Sequence, residues 1–127
     1  MLIATVLAAT LLGGAQEAHP DSLLGRAQAA LVEGRVAYIS CVETAAGRLE
    51  ASREPATVIA DAALESCSTE RHGLIDALTE FSYFKTGIDR ETSRRHSTEL
   101  VNENMRPAMR SKAILVVTER RAARGRH

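Results

Sequence analysis

From Leu2 to Leu12 the chain carries only apolar residues and threonine, whereas beyond Asp21 the apolar residues recur every three or four positions. The two patterns predict different fates. An unbroken run of this kind fits the core of a signal peptide, roughly 7–15 residues, and falls short of the ~20 that span a bilayer. Gly13, Gly14 and Ala15 follow it, small residues suited to cleavage after Ala15, and Ala18 is the second candidate. Residues 1–18 are therefore expected to be an export signal, one that lacks the usual Lys or Arg ahead of its apolar core. Nothing in the rest of the chain reads as a transmembrane helix.

The three-to-four spacing of residues 19–127 predicts one all-α domain of four to five helices, a small bundle or helical hairpin array. Asp21 or Ser22 caps the first helix, whose stripe is Leu23, Leu24, Ala27, Ala30 and Leu31, and Gly34 interrupts it. A second helix over about 35–51 presents Val36, Ile39, Val42, Ala46 and Leu49, with Tyr38, Cys41 and Ala45 on an adjoining strip. Ser52 to Pro55 reads as a turn, and Pro55 suits the first turn of a third helix over about 55–67. Its face is Ile59, Ala62, Ala63, Ser66 and Cys67. The fourth helix, about 69–84, has Leu74, Ile75, Leu78 and Phe81 as its stripe and stops at Thr86-Gly87. Asp89 or Thr92 then starts a long region with Leu100, Val101, Met105, Ala108, Met109, Ala113, Leu115 and Val116 inward. Pro107 leaves residues 90–124 as either one kinked helix or two. Ile114 to Val117 has strand-like composition, but no second segment offers it a partner.

Composition limits the core that these helices can build. Aromatic residues make up 3% of the chain, Trp is absent, and much of the apolar content is Ala, which buries little area. Such a domain needs a covalent staple. Cys41 and Cys67 are the only cysteines, and an antiparallel return of the third helix on the second brings them together. Export makes them a structural disulfide; a cytosolic chain would instead keep two buried thiols. Their separation excludes the C-x-x-C of redox-active and zinc sites and the C-x-x-C-H of haem attachment.

Charge changes the picture at one end. Formal net charge is zero, yet residues 19–88 hold six Lys/Arg against ten Asp/Glu, while residues 106–127 hold seven against one. Arg106, Arg110, Lys112, Arg120, Arg121, Arg124 and Arg126 form a basic segment that can attract an anionic surface, in a salt-sensitive way. The alternative is that these cations complement a helix C-terminus and solvate a tail over 118–127 that frays into solvent. No aromatic residue is interleaved with them, so nucleic acid is not indicated.

Candidate chemistry is sparse. His72, Asp76 and Glu80 recur at i, i+4 on one helix face, which would suit a metal or the general base of a hydrolase. No H-x-x-x-H or H-E-x-x-H pair accompanies them, no serine lies in G-x-S-x-G, and the glycines beyond the leader are scattered singly. The sequence therefore indicates no metal site, no cofactor and no enzyme.

The stretch Val36-Ala37-Tyr38-Ile39-Ser40-Cys41, followed by Glu54-Pro55-Ala56 and by the Ala-rich Ile59 to Cys67, resembles small exported helical proteins of proteobacteria without an assigned activity. The resemblance implies structural cysteines and a Tyr38 that packs one turn from Cys41 rather than reacting. The expected role is that of a non-enzymatic binding or structural protein, periplasmic or secreted. Met105, Met109, Leu115 and Val116 either complete the monomer core or serve a homodimer or partner helix. An anionic-surface or chaperone-like role through the basic segment is the alternative.

Overall fold

The computed structural model describes His19 and residues 21–126, so the expected export signal lies outside the described residues. Its helices are α1 (Leu23–Leu49), α2 (Ala56–Ser66), α3 (Ser68–Thr86), α4 (Arg90–Glu99) and α5 (Arg106–Arg124), with a π-helical segment, Leu100–Met105, joining the last two. They form three antiparallel rods. The first is α1; the second is α2 and α3, broken at Cys67; the third is α4, the π segment and α5 in one continuous run. α3 lies along the N-terminal half of α1, and α2 along its C-terminal half. α4 packs on α3, and α5 covers both α2 and α1.

The ends follow from local chemistry. The Ser22 hydroxyl accepts the Gly25 N–H at 2.9 Å, and the Asp89 carboxylate accepts the Thr92 N–H at 2.9 Å. Pro55 precedes α2, and Gly87 stops α3 with φ at 70°, where its N–H bonds the Tyr83 carbonyl.

Gly34 does not interrupt α1. It lies against α3, where a Cβ would be 3.4 Å from the Cα of Leu74, so the bare backbone brings the two rods close. With the helix unbroken, one phase runs through Ala27, Leu31, Gly34, Tyr38, Val42 and Ala46, and this is the face that points to the centre. The expected stripe is thus displaced: Val36 and Leu49 are exposed, while Tyr38 is the largest side chain fully buried. The same displacement puts Ala62, Ser66, Ala108 and Leu115 outside and Ala60, Leu64 and Val117 inside. Each rod meets two neighbours, so its inward face is set by the bisector of both contacts.

Pro107 is absorbed without a break. From Arg94 to Arg106 the third rod advances twelve residues, while from Asp76 back to Glu65 the second advances eleven, yet each end is joined by an ion pair. A π turn takes up this one-residue excess. The Arg106 N–H reaches back to the Val101 carbonyl, and the wider turn accommodates the missing N–H and the ring of Pro107. Residues 114–117 are helical, and the expected fray is absent as far as Arg124.

Candidate functional site

The break in the second rod and the π segment of the third meet at the level of Cys41 on α1. Cys67 closes α2, its N–H bonding the Leu64 carbonyl at 3.2 Å, and opens α3, its carbonyl accepting the Arg71 N–H at 3.0 Å. It is joined to Cys41 on α1 across a Cα–Cα distance of 5.9 Å. Arg71 donates to the Asn102 side-chain oxygen in the π segment at 2.7 Å, and Arg106 pairs with Glu65 at 2.8 Å. Because Cys67 is the N-cap of α3, Glu70 stands at the third helical position, the place from which a side chain reaches back over the cap. Its carboxylate and the two sulfurs accordingly lie within 4.8 Å of one another. One Glu70 oxygen, Oε2, is buried without a hydrogen-bond donor among the described residues.

Tyr38 sits beside this junction, fully buried, its hydroxyl also without a partner among the described residues. Burial pushes the Tyr38 phenol above its ordinary 10.0; the cations Arg71 and Arg106 oppose the shift and Glu65 adds to it. An acid raised in the folded state favours folding fully below its unfolded value and loses that contribution as pH rises through the folded value. Stability is therefore expected to fall above about pH 10, and Tyr38→Phe to remove that alkaline loss. At neutral pH the same variant is expected within about 1 kcal/mol of wild type or above it, because the lost hydroxyl made no hydrogen bond. Urea midpoints across alkaline pH, with phenolate absorbance, read both effects.

The residues singled out from sequence are placed elsewhere. His72 is exposed on α3; Asp76 is bound by Arg94 at 2.7 Å and Glu80 by Arg90 at 2.9 Å, so both carboxylates are committed to α4. The Arg90 contact holds Glu80 below the usual carboxylate range. The basic segment turns inward to the fold: Arg110 binds Asp61 at 2.8 Å and holds it below the carboxylate range, and Lys112 binds Glu43 at 2.9 Å. Arg121 donates to the carbonyls of Glu50, Ser52 and Glu54, Arg124 pairs with the buried Glu50 carboxylate, and Arg120 lies 3.5 Å from the Gly47 carbonyl. Arg126 is exposed beyond the end of α5. Of the apolar residues considered for a partner, Met109 is buried, Met105 and Val116 pack against the core, and Leu115 stays outside.

Sequence reading missed Glu70, Arg71 and Asn102. Glu70 had a signal, since Cys67-x-x-Glu70 has the N-cap-to-third-position spacing of a capping box. Asn102 had none, because it depends on the π turn. The chain matches no protein-family model, no curated protein and no solved structure.

Proposed function

We propose that this protein is a non-enzymatic binding or structural component of an oxidising space outside the cytoplasm, periplasmic or secreted. The Cys41–Cys67 disulfide carries the reading, because such a bond persists in oxidising compartments and is rare as a structural element in the cytosol. It fastens α1 to the joint between α2 and α3, two helices that touch each other little. Among the described residues no helix is long and apolar enough to cross a membrane. A binding role is supported by the outer side of α1, where Val32 and Val36 are more than half exposed beside Arg35 and Ile39. The hydrolase alternative loses support from Asp76 and Glu80, whose oxygens are held by arginines.

Intact mass of the protein recovered from an expressing host, before and after reduction and alkylation, tests the reading. The expected chain starts near Gln16 or His19 and takes up label only after reduction. A retained leader with two freely labelled thiols would overturn it. Salt-sensitive retention on anionic vesicles would instead favour the surface-binding alternative, with loss on deleting residues 118–127.

A further inference from the structure

We infer that Cys41, Cys67 and Glu70 form a redox-controlled zinc site, closed as a disulfide when oxidised and able to hold one Zn2+ when reduced. Two independent features carry it. Three donor atoms of suitable type lie within 4.8 Å of one another before any rearrangement. Glu70 also has a buried oxygen, Oε2, that no N–H or O–H among the described residues satisfies, an arrangement that costs free energy until a proton donor or cation meets it. The backbone is compatible with both states. Zn–S bonds of about 2.3 Å at the tetrahedral angle set the sulfurs about 3.8 Å apart, an opening that side-chain rotation supplies. The Cα–Cα distance of 5.9 Å can then stay nearly as it is.

The chemistry balances with a dithiol as reductant. It gives up two electrons and two protons and closes to its own disulfide, while the Cys41–Cys67 bond breaks and two thiols form. Zinc binding releases both thiol protons and adds the Glu70 carboxylate as third ligand, leaving water the fourth position beside the half-buried Cys41. Two thiolates with one carboxylate suit Zn2+; Ca2+ and Mg2+ prefer all-oxygen sets, and Cu(I) needs only the sulfurs. The inference goes beyond the function proposed above and does not rest on export, since a chain found reduced in the cytosol would hold the site in its open form.

The full chain, reduced by a dithiol, freed of reductant without oxygen and titrated with Zn2+ against a chromophoric chelator, tests it. Expected are one equivalent bound by the reduced protein, none by the oxidised protein, and affinity lowered about tenfold or more by Glu70→Gln. Co2+ in place of zinc should show thiolate charge-transfer bands that Cys67→Ser diminishes. Absence of zinc uptake by the reduced protein would overturn the inference. So would uptake unchanged by Glu70→Gln, which is the behaviour of two thiols on an unfolded chain.

Discussion

Cys41→Ser is expected to cost about 3.5 kcal/mol of stability and to lower the thermal midpoint by about 15 °C. The bond closes a loop with a sequence separation of 26, and removing it restores the conformational freedom of that loop to the unfolded chain. The loss is large against the roughly 5–15 kcal/mol that hold a domain together. This core has little with which to offset it, since Ala46, Ala60, Ala63 and Ala113 occupy central positions where larger side chains would bury more area. The damage should also be local. Cys67 is the joint of the second rod, so backbone amides around 64–71 are expected to exchange fastest in the variant. Urea unfolding and hydrogen exchange measure the two. A loss below about 1 kcal/mol would mean that helix packing alone holds the joint.

Arg121→Ala is expected to cost about 2–4 kcal/mol. The last carbonyls of α1 have no partners within their own helix. Arg121 supplies donors to the Glu50 carbonyl at 3.2 Å and, in the loop beyond, to those of Ser52 at 2.8 Å and Glu54 at 2.7 Å. A guanidinium spans three acceptors as an ammonium cannot, so Arg121→Lys should recover less than half of the loss. Arg120→Ala is the control, expected to change stability by less than about 0.5 kcal/mol, because its single carbonyl contact is long, at 3.5 Å. Equal and small effects at both positions would show that the segment does not clamp the end of α1.

The disulfide and the arginine clamp differ in how far the sequence announced them. Cys41 and Cys67 lie on consecutive helices joined by a short turn, so an antiparallel return suffices to pair them. The arginines were visible as an excess of charge, but their acceptors lie about 70 positions earlier in the chain. At that range composition says nothing of who faces whom. The same division separates the two lists of acidic residues. Asp76 and Glu80 drew attention as an i, i+4 pattern with His72, and the neighbouring rod claimed them through Arg94 and Arg90. Glu70 drew none, and the N-cap position of Cys67 carried its carboxylate to the sulfurs.

Helix class, most helix ends, the Ser52–Pro55 turn, the Gly87 stop and the pairing of the cysteines were written in the chain itself. Each depends on interactions within a few residues or across one turn: a cap that satisfies an N–H, a proline without one, a glycine free to adopt positive φ. The inward phase of α1, the fate of Gly34 and Pro107, the anchoring of the C-terminal arginines and the cluster around Glu70 belonged to the tertiary structure alone. A helix has 3.6 residues per turn and several apolar strips, and only the simultaneous contact of three rods selects one strip and fixes the register that a π turn must absorb.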